Sequence, residues 1–219
     1  MAGQSRSLTV KISEIFYSLQ GEATRVGLPT VFVRLTGCPL RCSWCDTTHA
    51  FSGGQRMEIP AILALVAQHE TRHVCVTGGE PLAQQNCLPL LTALCDAGYD
   101  VSLETSGALD IGGVDPRVSR IVDLKAPSSG EVAKNHWANI ERLTPSDEVK
   151  FVLADRADYE WARGVIADRG LAARCPLLVS PVQGALAPQD LAEWVLADHL
   201  PVRFQVQLHK LLWGNMQGK

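Results

Sequence analysis

The chain has 219 residues, 46% hydrophobic and 20% charged, a balance that excludes a disordered chain and suits one ordinary domain with a buried core, assigned here as 1–219. Its net charge of −3 gives no bulk attraction to nucleic acid or to an anionic membrane, and no apolar run approaches the roughly 20 residues that span a bilayer. The opening Met1-Ala2-Gly3-Gln4-Ser5-Arg6-Ser7 lacks the apolar stretch of a signal peptide, so a cytoplasmic protein without nucleic-acid or membrane partners is expected.

In chain order, residues 11–20 are expected as an N-terminal extension packed beside a sheet. Residues 30–35, rich in β-branched and aromatic side chains, predict the first strand. The pattern predicts further strands at 73–77, 99–104, 120–124, 148–153, 177–180 and 202–207. Helical patterns lie between them. Residues 59–69 open with Pro60, whose missing N–H costs nothing in a first turn. Residues 82–97 end before Gly98, and 155–168 before Gly170, both natural helix stops. Residues 188–196 again start on proline, and 134–143 is a weaker helix. Alternating strands and helices predict parallel βαβ units. About six units fit, fewer than a closed eight-unit barrel of about 250 residues requires. An α/β fold with a shortened, open (β/α) barrel is therefore expected. A doubly wound sheet is the alternative that periodicity cannot separate.

The seven cysteines cannot all pair internally, and in a reducing compartment a cluster of them points to metal or redox chemistry. Cys38, Cys42 and Cys45 form a C-x3-C-x2-C loop directly after the first predicted strand. Barrel enzymes place active sites at that end. Three thiolates suit a [4Fe–4S] cluster with one iron left free. Zinc, with His49 as a fourth ligand, is the competing reading. Cys75 and Cys95 fit as small core hydrophobes, whereas Cys87 and Cys175 are expected to be exposed. Thr77-Gly78-Gly79-Glu80-Pro81 follows the second strand, and its glycines let backbone approach a ligand closely. Alone, that segment is also a plain strand-to-helix turn.

Together the two motifs resemble the radical S-adenosylmethionine superfamily, with Trp44 as the aromatic of its cysteine loop. The resemblance implies that Cys38, Cys42 and Cys45 hold the cluster. It implies that Gly78, Gly79 and Glu80 bind the amino group of S-adenosylmethionine, beside Trp44, Cys45 and Asp46. A one-electron cleavage to a 5′-deoxyadenosyl radical would follow. Within the superfamily, Ile12 through Glu22, Phe32 through Cys38, Cys45-Asp46-Thr47 and Gln207 through Gly214 resemble the 7-carboxy-7-deazaguanine synthase family of queuosine biosynthesis. That likeness runs nearly end to end. It implies a homodimeric lyase that turns 6-carboxy-5,6,7,8-tetrahydropterin into 7-carboxy-7-deazaguanine and ammonia. A reducing partner such as flavodoxin is common in such systems.

The same resemblance distributes the site residues. Gln20, with the backbone of Leu19 and Gly21, would contact the pterin. Glu22 would accept from its donor-rich edge. Arg34 would grip the substrate carboxylate in a fork, unless it is a plain surface-strand arginine. Thr47 would ligate Mg²⁺, which keeps waters and takes substrate oxygens. Thr77 would hydrogen-bond the substrate, and His209 would line its pocket. Ser106, then Asp123, Leu124 and Lys125, then Ser180, Pro181, Val182 and Gln183 would lie near S-adenosylmethionine, each at the end of a predicted strand. Two departures stand out. The family's Gly-Glu-Gly is Gly21-Glu22-Ala23 here, and residues 215–219 match poorly, so Lys219 receives no role. A glycyl-radical activase of the same superfamily is the alternative function, and a non-enzymatic zinc module is a third.

The ligand reading makes a direct prediction. Cys42→Ala is expected to remove the iron–sulfur absorbance and all turnover, because two thiolates hold the cube poorly. Cys175→Ala is expected to keep both. Absorbance spectra and iron and sulfide content after anaerobic reconstitution check it, and a full cluster in Cys42→Ala would refute the assignment.

Overall fold

The computed structural model describes residues 8–214 and 216–219. The opening heptapeptide read above, and Asn215, lie outside the described residues. Nine strands among the described residues form one sheet in the order β3-β1-β2-β4-β5-β6-β7-β8-β9. They are β1 (Thr9–Leu19), β2 (Pro29–Leu35), β3 (Gln55–Glu58), β4 (His73–Gly78), β5 (Asp100–Thr105), β6 (Ser119–Leu124), β7 (Glu148–Leu153), β8 (Leu177–Pro181) and β9 (Arg203–Phe204). From β2 through β9 every pairing in this order is parallel. From β2 onward the order runs in one direction without reversal. A doubly wound sheet reverses at a switch point, so the strand order selects the open, singly wound barrel.

Helices α1 (Ile59–Val66), α2 (Cys87–Asp96), α3 (Arg156–Asp168) and α4 (Pro188–Ala197) bury apolar stripes against the sheet. Asp155 starts α3 by accepting from the Asp158 N–H at 2.8 Å. One core holds the two layers together. Val31, Val33 and Leu35 on β2, Val74 and Val76 on β4, and Val149, Phe151 and Leu153 on β7 belong to it.

Five expectations are corrected. Residues 11–20 do not pack beside the sheet. They form most of β1, hydrogen-bonded antiparallel to both β2 and β3. Their alternation of apolar and polar side chains is a strand signal, and a connection over 20–28 lets the chain turn back directly into β2. The helix expected over 82–97 is interrupted. Gln84 has extended backbone between a 3₁₀ turn at Pro81–Ala83 and α2. Its amide accepts from Lys11 N at 2.7 Å and donates to the carbonyls of Lys11 and Thr36, each at 2.9 Å. These bonds serve the irregular stretch of β1 between Ile12 and Glu14 and outweigh helix continuation. The expected helix over 134–143 is two 3₁₀ turns, Val132–Lys134 and Trp137–Arg142. The strand expected over 202–207 keeps only Arg203–Phe204; beyond it the Gln205 N–H still donates to the Val179 carbonyl at 2.9 Å, and its side-chain amide donates to the Ala23 carbonyl at 2.6 Å. Cys87 and Cys175 are buried rather than exposed. Strand β3 and helix α5 (Leu208–Trp213) had no counterpart in the pattern reading.

Where β6 begins, Arg120 and Asp147 form a buried fork. The guanidinium reaches the carboxylate at 2.8 and 2.5 Å, and the Arg120 N–H donates to it at 2.9 Å. Thr144 adds its N–H at 2.7 Å and its hydroxyl at 2.8 Å. Burial raises the Asp147 carboxyl, but the bonds from Arg120 and Thr144 outweigh it and hold it below its ordinary value. A lowered carboxyl stabilises the fold above the unfolded-state value near 4, and that contribution is lost as pH falls through the folded value. Asp147→Ala, which strands a buried guanidinium, is expected to cost about 3–5 kcal/mol. Urea unfolding at pH 7 measures this, and the same titration at pH 3 is expected to show a smaller gap between variant and parent.

Candidate active site

Side chains alternate along each parallel strand. The set that faces the helices is largely apolar. The opposite set, Phe32 and Arg34 on β2, Thr77 on β4, Glu104 on β5, Asp123 on β6 and Lys150 on β7, lines a cavity of about 560 Å³. Loops from the C-terminal strand ends complete it.

The loop after β2 brings Cys38, Cys42 and Cys45 to one wall of this cavity, each half-buried and unpaired. Backbone bonds pin the loop: Gly37 N–H donates to Ala50 at 2.7 Å, and Ser43 N–H donates to Ser129 at 3.0 Å. Burial pushes the thiols of Cys38 and Cys42 up, and nearby Lys125 only partly offsets it. The free chain therefore holds these two as thiols, and a bound metal replaces their protons. Among the described residues, no three His, Cys, Asp or Glu side chains are placed to share a single metal ion. A cubane takes each thiolate on a different iron, so three thiols spread over one wall fit it. His49 does not complete a zinc site: its Nε2 lies 3.3 Å from Glu14 Oε1.

Gly78 and Gly79 border the cavity. A Cβ on Gly79 would meet the Gly37 carbonyl and lie 2.7 Å from Cys38 Cβ, so only glycine lets this turn lie against the cysteine loop. Glu80 does not reach the cavity. Fully buried, its carboxylate accepts from Leu82 N–H at 2.9 Å, Ser106 N–H at 2.7 Å, and the Thr105 and Ser106 hydroxyls at 2.9 and 2.5 Å. It ties the β4 turn to the β5 turn. Here its side chain supports the glycines from behind.

Leu19, Gln20, Gly21, Glu22, Arg34, Thr77 and His209 all border the cavity, as do Trp44, Asp46, Thr47, Ser106, Asp123, Lys125, Val182 and Gln183. Leu124 is buried on the helix side, the necessary consequence of alternation between Asp123 and Lys125. Ser180 and Pro181 are buried outside the cavity, and the Ser180 hydroxyl has no partner among the described residues. Ala23, where the family has glycine, keeps the left-handed backbone at φ +66° and is fully buried.

Most of the charges are paired, and Glu104 instead accepts from Thr77 and Gln20. Arg34 Nε donates to Glu14 at 2.7 Å, Lys125 Nζ lies 3.1 Å from Asp123, and Lys150 bonds Glu22. Lys210 reaches Asp46 at 2.8 Å. Burial raises the Asp46 carboxyl, but Lys210 and the Thr47 hydroxyl outweigh it and bring it to about 2. Burial lowers the Lys125 ammonium, yet Asp123 and Cys42 keep it above its ordinary value and charged. The motif reading missed Glu104, Lys150, Gln207, Lys210 and Lys219, which also line the cavity. A signal for two of them exists: a charge at alternate positions of a helix-covered parallel strand, as in Glu148-Val149-Lys150-Phe151, marks a face that looks into polar space.

A family model of the radical SAM superfamily matches residues 32–163. A protein of Chlorobaculum tepidum named 7-carboxy-7-deazaguanine synthase is 48% identical over 213 residues, covering 96% of this chain and 97% of that protein. One of Koribacter versatilis with the same name is 42% identical, covering 93% and 97%. The crystal structure of QueE from Escherichia coli superposes with a TM-score of 0.75 at 26% identity, covering 92% of this chain and 95% of that one. Streptococcus suis SuiB bound to S-adenosylmethionine, at 13% identity and a TM-score of 0.55, shares the fold over 77% of this chain.

Glu80→Ala would leave buried hydroxyl and N–H donors unpaired and is expected to cost roughly 3 kcal/mol of unfolding free energy. Glu80→Gln, which keeps an acceptor oxygen, is expected to cost less than half as much. Urea midpoints of the two variants test this, and equal losses would show that the bonds to Thr105 and Ser106 do not carry the effect.

Proposed function

The chain belongs to the radical S-adenosylmethionine superfamily and, within it, to the 7-carboxy-7-deazaguanine synthases, and we propose that it converts 6-carboxy-5,6,7,8-tetrahydropterin to 7-carboxy-7-deazaguanine and ammonia. It is a lyase whose cofactors are a [4Fe–4S] cluster and S-adenosylmethionine. The observation that carries the substrate reading is a single cavity with three thiols on one wall and Gln20, Glu22 and Arg34 opposite the apolar core. That polar wall suits a small, hydrogen-bonding ring system better than the protein partner of a glycyl-radical activase.

When bound, the cluster and S-adenosylmethionine supply a primary carbon radical that can take a hydrogen atom from the substrate. The chain's own residues bind and orient. Cys38, Cys42 and Cys45 would hold the cluster, with Gly78 and Gly79 beside the amino acid end of S-adenosylmethionine. Arg34 spends Nε on Glu14, and neither Nη is hydrogen-bonded among the described residues, which leaves an end-on fork for the substrate carboxylate. Glu104 accepts from Thr77 at 3.0 Å and from Gln20 at 3.3 Å, and so aligns two of the side chains assigned to the pterin. Phe16 and Phe32, stacked at 4.9 Å, give the same pocket an apolar floor that excludes water.

Magnesium is part of the proposal. Thr47 faces the cavity and presently donates to Asp46 at 2.9 Å. One threonine oxygen fits a cation that takes its other ligands from water and substrate. The reading also treats 1–219 as a single domain, supported by the one sheet. It further takes the protein to be a cytoplasmic homodimer, reduced by a donor such as flavodoxin, as carried over from the family. Among the described residues, no helix is long and apolar enough to cross a membrane.

Anaerobic turnover of the carboxytetrahydropterin with reductant and S-adenosylmethionine tests the function, and absence of 7-carboxy-7-deazaguanine would sink it. In the same assay Thr47→Val, nearly isosteric but without the ligand oxygen, is expected to assemble a normal cluster and bind S-adenosylmethionine. Its turnover is expected to fall and to lose stimulation by added Mg²⁺. A valine variant that responds to Mg²⁺ as the parent does would place the metal elsewhere.

A further inference from the structure

Lys150 stands in the cavity where no motif points. It lies mid-strand on β7, with its side chain 11% exposed. Its ammonium bonds the Glu22 carboxylate from the loop after β1 and lies 3.4 Å from Asp123 Oδ2 on β6. Gln207 donates to the other Glu22 oxygen at 2.6 Å. We propose that Lys150 is a positioning residue: it holds Glu22 as an ionised acceptor aimed at the donor-rich edge of the bound ring, and it ties that subsite to Asp123 on the cofactor side. The identity of the ring rests on the function proposed above, whereas the action on Glu22 does not.

The argument begins with crowding. Glu22, Asp46, Glu104 and Asp123 present four carboxylates to one cavity. Burial and mutual repulsion both favour protonating such groups. A protonated Glu22 would offer a hydroxyl to the N–H groups it is meant to receive, a donor facing donors. One compact ammonium with three protons reverses this for two carboxylates at once. Burial pushes the Glu22 carboxyl up, yet Lys150, with Gln207 and then His209, brings it below its ordinary value. Burial pushes Lys150 down, yet Glu22, then Asp123 and Glu104, hold it well above the ordinary lysine value. A lysine so held keeps its proton through neutral pH. It acts as a fixed positive charge beside Glu22 and Asp123.

The charged groups facing the pair are Glu104 from β5, Asp123 and Lys125 from β6, His209 from α5, and Asp46 from the cysteine loop, itself paired with Lys210. A Cβ on Gly21 would collide with the His209 ring, so this face of the Glu22 loop is closed by packing. With Lys150 removed, burial and the remaining carboxylates act on Glu22 with only the Gln207 amide, His209 and the more distant Lys125 in opposition, and its closest full charge is gone. The carboxyl must then rise.

The test reads Glu22 directly. Carbon-13 NMR of glutamate-labelled holoenzyme, with the Glu22 signal assigned by its loss in Glu22→Gln, follows the carboxyl from pH 5 to 9. In the parent the signal is expected to stay ionised throughout. In Lys150→Met it is expected to titrate inside that range, and Lys150→Arg is expected to restore the flat profile. Equilibrium binding of the carboxytetrahydropterin to oxidised holoenzyme, without reductant, gives the second readout. Below the new Glu22 value, Lys150→Met is expected to lose about tenfold in affinity per pH unit, while the parent stays flat. Adding Glu22→Gln to Lys150→Met is expected to abolish that pH dependence. A Glu22 that stays ionised down to pH 5 in Lys150→Met would overturn the proposal, as would a pH-independent loss shared equally by S-adenosylmethionine. Failure of the parent to bind the pterin would refute the substrate reading alone, and the carboxyl titration would still decide the role of Lys150.

Discussion

Everything in this molecule follows from a mostly parallel sheet whose parallel strands are covered by helices on one face only. On the covered face, strand residues are mostly apolar, as Val31, Val33, Leu35, Val74, Val76, Val149 and Phe151 are. On the other face the same strands look into a cavity, so the side chains there must be polar enough to meet a ligand. They are nonetheless far enough from bulk water that an unpaired charge is costly. The answer is a set of pairs: Glu14 with Arg34, Asp123 with Lys125, Glu22 with Lys150, and Asp46 with Lys210. The folded chain thus carries the charges its ligands require without leaving them unmatched in the absence of those ligands.

Because strand order in space follows strand order in the chain from β2 onward, the subsites are laid out in sequence. The cysteine loop follows β2, the glycine turn follows β4, and Ser106 and Lys125 follow β5 and β6. Such an open sheet has a gap that a closed barrel lacks. The chain fills it with its last described elements. Gln205 bonds the Ala23 carbonyl, Leu208 N–H donates to Gly21 at 3.0 Å, and Lys210 reaches Asp46 on the cysteine loop. On the other side, Thr24 bonds Glu148 of β7, with its N–H 2.9 Å from the carboxylate. The connection over 20–28 is therefore held by both ends of the structure. This explains why Ala23 can retain a left-handed conformation that costs an alanine about 1–2 kcal/mol.

What the sequence made legible was chemistry written in local spacing. The C-x3-C-x2-C loop and the Gly-Gly-Glu-Pro turn need only a few residues and a strand before them, and both fall where expected. The strands at 148–153 and 30–35 were legible because β-branched and aromatic runs end in clear turn residues. The failures are long-range. Gln84 breaks a helix whose own sequence would continue it, because it bonds backbone seventy-three positions away. Residues 11–20 carry strand periodicity, but their place in the sheet depends on β2 and β3. The inward turn of the Glu80 side chain was equally illegible, because its donors, Thr105 and Ser106, lie at the end of the next strand.

Lys150 was illegible for a different reason. No motif surrounds it, and a lysine in a strand is ordinary until the strand is known to be covered on one face. Once β7 is placed between β6 and β8, every other residue must point into the cavity, and a buried ammonium there demands carboxylates. Glu22 and Asp123 come from opposite sides of β7's neighbours in the fold, and neither has another lysine as close as the one that serves both, save Lys125 for Asp123. A ligand entering between them therefore meets a wall whose acceptors are already oriented, so binding need not spend energy on ordering them. The same economy governs Arg34, whose Nε is fixed by Glu14 before any carboxylate arrives. Preorganisation on both sides of the ring, anchored on strands and not on mobile loops, is what lets a cavity open at one edge of the sheet hold a small substrate in a single orientation.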